Sequence, residues 1–269
     1  MVHAGRWVGV AGVLAGMVTG VAGAGPAAAD PGPDPVAGSH PQVSTATSAA
    51  SRAQFRPRAR FAREFVRRGD ADTSTSNIEH VRELQYRLRW AGVYRGPVTG
   101  TFGDLTKAAV RRFQKGHHLD VNGNANFATW ARLIPATVRA KRAIPDRCKL
   151  PNGWHVCYDR AHHQVTLWKS GRLWNSWLVR GGDYGYQTRT GSFEVYYRDK
   201  DHVSGLYGSA MPYSQFFSGG QAFHGSPYMI DPFDEHSHGC VNMYIEDAHQ
   251  LWQLTSRSRL KVAVYGAWD

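Results

Sequence analysis

Cysteine is scarce in this 269-residue chain, which holds only Cys148, Cys157 and Cys240. None lies near position 30, which excludes a lipoprotein anchor there. Long apolar runs are equally scarce. Beyond Trp7–Ala22 no stretch is long enough to cross a bilayer. Acidic side chains are in deficit as well, 21 against 32 Lys and Arg, for a formal charge of +11. That balance points to an anionic partner. The residues 30–50, rich in Pro, Ser, Ala and Gly, lack large apolar side chains and have nothing with which to build a core.

The first residues read as an export signal. Met1–Arg6 is weakly basic, Trp7–Ala22 is apolar and uncharged, and Ala27-Ala28-Ala29 offers an Ala-x-Ala cleavage site before Asp30. An uncleaved membrane anchor is the competing reading. Export turns the partner expectation away from nucleic acid and towards a wall polymer or a membrane surface. It also gives the odd cysteine count a meaning. Cys148 and Cys157 bracket the turn-forming Pro151-Asn152-Gly153 and suit a local disulfide. Closing a loop of about ten residues is worth roughly 2–3 kcal/mol. Cys240 is then left as a free thiol in an oxidising compartment, a flag for reactivity.

The textures along the chain divide it into an export signal over 1–29, a linker over 30–76, a helical domain over 77–136 and a mostly-β domain over 145–267. The linker is expected to be disordered, Pro/Ser/Ala-rich at first and then basic. Its segment Arg52–Arg68 carries Arg52, Arg56, Arg58, Arg60, Arg63, Arg67 and Arg68 against Glu64 alone. This reads as a solvated, partly helical tether; a clamp on wall anions or lipid headgroups is the second reading. In the helical domain, Ser76 and Glu79 suggest a capping box, and Ile78, Val81, Leu84 and Leu88 follow helical spacing. A second helix is expected over Leu105–Lys115, burying Leu105, Ala109, Val110 and Phe113. A third holds Phe127, Trp130, Leu133 and Ile134. Beyond Cys148, Trp and Tyr are dense, which favours strands. Strands are predicted at His155–Tyr158, Gln164–Trp168, Trp174–Val179 and Phe193–Tyr197, with one helix at Glu246–Trp252. The result is a sandwich or barrel.

The chemistry concentrates in Ser237-His238-Gly239-Cys240-Val241-Asn242, with His224-Gly225 upstream. A cysteine nucleophile works as thiolate, and an unperturbed pKa of about 8.5 leaves only a few per cent ionised near pH 7. A neighbouring imidazole raises that fraction and then protonates a leaving amine. In an extended segment His238 lies on the same side as Cys240. His224 approaches only if the loop Ser226–Glu235, with Pro227 and Pro232, folds over. The amides of Gly239 and Cys240 are candidates for an oxyanion hole. Two other readings compete. Cys240 is a buried structural thiol, or His224, His236, His238 and Cys240 hold zinc as in a wall peptidase.

Two resemblances bear on these alternatives. Val81-Arg82-Glu83-Leu84-Gln85, Gly96–Gly103, Thr106–Val110, Phe113-Gln114, Asn122-Gly123 and Thr129-Trp130 resemble the three-helix peptidoglycan-binding domain, which implies non-catalytic attachment to the wall. The His224-Gly225 pair, the variable loop and Ser237–Asn242 resemble the L,D-transpeptidase catalytic domain of the YkuD type. Thr190–Tyr197, Met211-Pro212-Tyr213-Ser214 and Phe217–Gly225 extend the likeness. Arg189 departs from it, standing where the family commonly has proline, and the spacer between the two histidines is short.

The resemblance implies an exported, wall-located enzyme with no cofactor and no metal. Cys240 would attack a tetrapeptide stem at the carbonyl of the L-centre of its diamino acid. D-alanine would leave, and a stem amine would resolve the thioester into a 3→3 cross-link. His224 would accept and donate the proton, its ring oriented by the carbonyl of Gly225. His238 and Gly239 would line the site, Ser237 and Asn242 would fix the cysteine loop, and Met211, Tyr213 and Phe223 would contact substrate. An L,D-carboxypeptidase that uses water as acceptor, a zinc peptidase and a non-catalytic wall-binding protein remain as alternatives.

Overall fold

The computed structural model describes residues 57–268. The export-signal reading, the Pro/Ser/Ala-rich stretch and the arginines Arg52 and Arg56 lie outside the described residues. From Pro57 onward the chain is folded, and the expectation of a solvated tether up to position 76 fails. Phe61, Ala62 and Val66 are buried, and Val66 exchanges backbone hydrogen bonds with Ala125 at 3.1 and 2.7 Å. The apolar residues interleaved among the arginines cause this, because each seats on a neighbouring core. The basic residues then find partners at short range, Arg63 inside the protein and Arg68 on Asp104 at 3.0 Å.

Three helices follow: α1 (Val81–Trp90), α2 (Asp104–Gly116) and α3 (Phe127–Ala136). Leu84, Leu88, Val110, Phe113, Trp130, Leu133 and Ile134 close around one core at zero to 1 % exposure. The capping box does not form. Ser76 Oγ bonds Ser74 instead, and the carboxylate of Asp72 accepts from the N–H groups of Glu79, Val81 and Arg82 at 2.8, 3.2 and 2.7 Å. An anionic acceptor at a helix N-terminus is favoured over a neutral hydroxyl. Leu105 and Phe127, both expected inside, are 63 % and 56 % exposed. Each sits in the first turn of its helix, on the side facing away from the core.

The second half holds two sheets. The first runs in the order β3 (Arg172–Leu178), β2 (Gln164–Lys169), β1 (Trp154–Asp159), β9 (Leu260–Tyr265), β4 (Gly191–Glu194), with β1 and β9 parallel. The second runs β5 (Tyr197–Val203), β6 (Ala210–Ser218), β7 (Gln221–Gly225), β8 (Val241–Met243), with β7 and β8 parallel. The helix α4 (Ile245–Thr255) packs Ala248 and Leu251 into the same core as Val156, Trp177, Phe223, Val241 and Val262. The strand expected over Phe193–Tyr197 is broken in two. Val195 donates to Leu260 O on the first sheet, and the next residue, Tyr196, donates to Phe216 O on the second. The chain changes sheets between them.

A buried ionic cluster joins the two halves. Glu83 on α1 accepts from Arg63 at 2.8 and 3.0 Å and from Arg87 at 2.7 Å. Both guanidinium groups also donate to Ser176 O on β3, at 2.7 and 2.9 Å. Beside them His80 touches Glu64 at 2.7 Å and Asp247 of α4 at 3.2 Å. Burial pushes His80 down, but the two carboxylates overcome it and hold the ring well above its usual pKa. Burial pushes Glu83 up, and Arg63 and Arg87 overcome it to about 2.

Glu83→Gln leaves two buried guanidinium groups without their carboxylate and should cost about 3–5 kcal/mol in denaturant unfolding. His80 contributes stability that is full below its unfolded pKa of about 6.5 and is lost as pH rises through the folded value. Glu83 contributes stability present above about 4.5 and lost as pH falls towards 2. Unfolding followed against pH should therefore give its largest contribution from these two groups between about pH 4.5 and 6.5. The Cys148–Cys157 disulfide bridges the residues before β1 to β1 itself. Its reduction should lower stability by roughly 2–3 kcal/mol, read as a shifted denaturation midpoint.

Candidate active site

Strands β7 and β8 lie in parallel register, with Phe223 opposite Val241 and His224 opposite Asn242. Cys240 immediately precedes β8, and that register puts His224 and Cys240 on the same cleft. The cleft has a volume of about 730 Å³, and Met211, Ser237, His238 and Asn242 also line it. Cys240 is half-buried and free. Its Sγ is 3.8 Å from Gly220 O, at the tight Gly219-Gly220 turn between β6 and β7.

His224 is 6 % exposed, and its Nδ1 lies 2.8 Å from Gly225 O. A carbonyl only accepts, so Nδ1 carries the proton and Nε2 keeps its lone pair. Burial lowers His224 to about 4; the Gly225 carbonyl and the Asn242 side chain favour the charged ring without offsetting it. Burial also pushes the Cys240 thiol up, and the Ala222 amide and the Arg189 charge offset only part of this. Both shifts run towards the neutral thiol and the neutral imidazole, against the direction of a raised thiolate fraction.

Ser237 organises the cysteine loop. Its Oγ donates to Cys240 O at 2.6 Å and accepts from the Gly239 N–H at 3.0 Å. That second bond removes Gly239 from the expected oxyanion pair, because its N–H is already used. Gly239 has φ +116, and a Cβ there would meet Gln221 Nε2 at 2.5 Å, so only glycine fits. His238 is exposed. Tyr207 stacks on it at 4.5 Å and Tyr186 meets it edge-on at 5.1 Å.

Two expected substrate contacts do not line the cleft. Phe223 is buried in the core against Phe217 at 5.0 Å, because alternate residues of β7 face opposite ways. Tyr213 stacks on His249 at 4.6 Å. The zinc candidates His224, His236, His238 and Cys240 all line the cleft, but no three of them bring ligand atoms to metal-ligand spacing. Among the described residues, the group gathered at metal-ligand spacing is His80, Glu83 and Asp247, and Arg63 and Arg87 already neutralise it.

Two residues take a place at the site that sequence reasoning did not give them: Arg189, noted only as a departure from the family, and Arg180. Arg189 turns its side chain onto Ser218 and Gly219, bracing the turn whose Gly220 carbonyl faces the thiol. Its place immediately before the Thr190–Tyr197 block was the available signal. Arg180 is 3 % exposed and lines the cleft. It lies at the end of an apolar run, and nothing in the sequence marks it.

A cleft holding one free thiol and one oriented, buried imidazole defines a cysteine acyl-transfer class of site. Residues 153–264 match the L,D-transpeptidase catalytic domain family, YkuD, and residues 77–133 match a peptidoglycan binding domain family. The chain carries a YkuD-type L,D-transpeptidase catalytic domain preceded by a peptidoglycan-binding domain. It is similar to the spore cortex-lytic enzyme of Bacillus cereus, 39% identical over 77 residues, covering 29% of this chain and 27% of that protein. The chain thus spans about a quarter of the length of the curated relatives it matches. Among solved structures, it is similar to an L,D-transpeptidase from Stackebrandtia nassauensis at 25% identity, covering 74% of this chain and 94% of that one, with a TM-score of 0.48. The L,D-transpeptidase from Xylanimonas cellulosilytica is 27% identical, with coverage of 75% and 97% and a TM-score of 0.42.

If both groups are neutral at rest, alkylation of Cys240 by iodoacetamide should climb only above the pH at which an ordinary thiol titrates, about 8.5. A rate plateau between about pH 5 and 8 would instead reveal a preformed thiolate–imidazolium pair.

Proposed function

We infer that this chain is a cysteine L,D-transpeptidase that acts on wall peptidoglycan outside the cytoplasm. The observation that carries this reading is the hydrogen bond of His224 Nδ1 to Gly225 O, which leaves Nε2 as a base in the cleft that also holds the free thiol of Cys240. In the acylation step the thiol proton passes to Nε2 as sulfur adds to the carbonyl carbon of the donor stem. The Cys240 N–H is left to stabilise the oxyanion, because the Gly239 N–H is bound to Ser237. The C–N bond then breaks, and the His224 imidazolium protonates the departing amine of D-alanine. The thioester is resolved when the amine of a second stem loses a proton to His224 and attacks, restoring the thiol and forming a 3→3 cross-link.

The low proton affinity of His224 suits this cycle. A base held near 4 is unprotonated at neutral pH, and once charged it is a strong acid towards the leaving amine. The peptidoglycan-binding domain supports the same substrate, because it keeps the catalytic cleft on the polymer and raises the local concentration of stems.

Mass spectrometry of the purified protein with a disaccharide tetrapeptide should show a thioester adduct that disappears in Cys240→Ala. Cross-linked dimers would identify the transpeptidase, and tripeptide alone the L,D-carboxypeptidase. His224→Ala should lose acylation by about 10²–10⁴-fold, and His238→Ala should lose much less. The reverse ranking would reassign the base.

A further inference from the structure

Arg180 is a charged side chain buried in the cleft with its Nε donor unused. Its Nη1 donates to Asp234 O at 3.0 Å and to Glu235 Oε2 at 2.9 Å. Its Nε is buried and makes no hydrogen bond. Burying a guanidinium without acceptors for its fork is costly, and such a group calls for an explanation. Among the described residues its carboxylate partner is Glu235, whose side chain is 71 % exposed against 4 % for Arg180. Glu235 also holds a left-handed backbone, φ 62, which a non-glycine residue adopts at some cost. The pair is thus an internal charge in want of a better anion, held for now by a surface carboxylate.

Its place relative to the nucleophile is set by the backbone. Arg180 and Asn242 exchange N–H···O bonds of 2.9 and 2.8 Å, so Arg180 stands level with the residue two positions beyond Cys240. Its side chain lines the same cleft as His224 and Cys240. In the donor stem the terminal carboxylate lies only one residue past the scissile carbonyl, ~3.5 Å away, so a stem bound at Cys240 keeps that carboxylate within the cleft.

We propose that Arg180 binds the C-terminal carboxylate of the acyl donor and so selects a stem that ends in a free acid. The inference rests on the acyl-transfer reading above. The guanidinium fork matches a carboxylate in a bidentate way that an amide or an ester cannot reproduce. When the C–N bond breaks, the carboxylate departs with D-alanine, Arg180 returns to Glu235, and the space it leaves is open to the acceptor. Arg180 therefore acts on donor capture and has no part in resolving the thioester.

The test compares the full-length protein acting on two donors that differ only at the C-terminus, a tetrapeptide stem with a free acid and its C-terminal amide. The rate of Cys240 acylation is followed by intact-protein mass spectrometry. The free acid should be acylated with about 10- to 100-fold higher kcat/KM, mostly through KM. Arg180→Gln should remove the preference by slowing only the acid, while iodoacetamide still modifies Cys240 at the wild-type rate. Arg180→Lys should restore part of it. Glu235→Gln, which removes the competing carboxylate at an exposed position, should lower KM for the acid and leave the amide unchanged.

Equal rates for acid and amide in the wild-type protein would overturn the assignment whether or not the Arg180 variants fold. So would a preference that survives in Arg180→Gln, or a higher KM for the acid in Glu235→Gln. Absence of any adduct with either peptide, with Cys240 still alkylated by iodoacetamide, would sink the acyl-transfer reading and this role with it.

Discussion

The carboxylate of Glu83 is the contact on which the arrangement of this protein depends. It lies on α1 with no solvent exposure and accepts from Arg63 and Arg87. Those two guanidinium groups reach across to Ser176 O on β3. A salt bridge buried this deeply is weak support for stability in itself, because desolvation consumes most of the Coulomb energy. Its effect is to make one geometry far better than any other. Three charges and a backbone carbonyl are satisfied only if the segment before α1, α1 itself and the first sheet meet in one arrangement. Gln250 adds to this from α4, donating to Pro57 O at 2.8 Å and accepting from Trp177 at 2.9 Å.

Docking the helical module also shapes the cleft. The loop between His224 and Cys240 leans on α1. Tyr86 donates to Asp231 at 2.9 and 3.0 Å, Phe233 packs on Tyr86 at 4.6 Å, and Met229 is buried with Ile78 and Tyr244. A loop of this length would otherwise sample many conformations, since each ordered residue costs backbone entropy. The same loop supplies Asp234 and Glu235 to Arg180. The helical module therefore buttresses the loop that walls the cleft.

Within the cleft, burial is the dominant electrostatic influence. It raises the thiol, lowers the imidazole and keeps the pair uncharged until a substrate carbonyl is present to take the electron pair of sulfur. A neutral resting pair also protects the thiol from oxidation, because the thiolate is the form that reacts.

Much of this was legible from residue order. The three helices follow from the spacing of Leu84, Leu88, Val110, Phe113, Trp130 and Leu133, a period that only a helix places on one face. The first strands follow from β-branched and aromatic runs punctuated by Ser170-Gly171. The cysteine count and the turn at Pro151–Gly153 anticipated the Cys148–Cys157 pairing, and the run from Ser237 to Asn242 marked the cysteine loop, because these are local patterns. Other features depend on residues that meet only after folding. Asp72 displaces Ser76 as the helix cap because the chain brings a carboxylate to the helix end. Tyr213 and Phe223 turn away from the cleft because strand alternation, set by the neighbouring strand, decides which face a side chain takes. The arginine-rich segment reads as solvated because composition alone does not reveal that Glu83, twenty residues further on, takes Arg63 into the interior. Arg180 acquires a role only where β8 lies beside it. Local sequence determined the elements and marked the free thiol of Cys240. Tertiary packing decided which charges are buried, and burial shifts the proton affinities of His224 and Cys240.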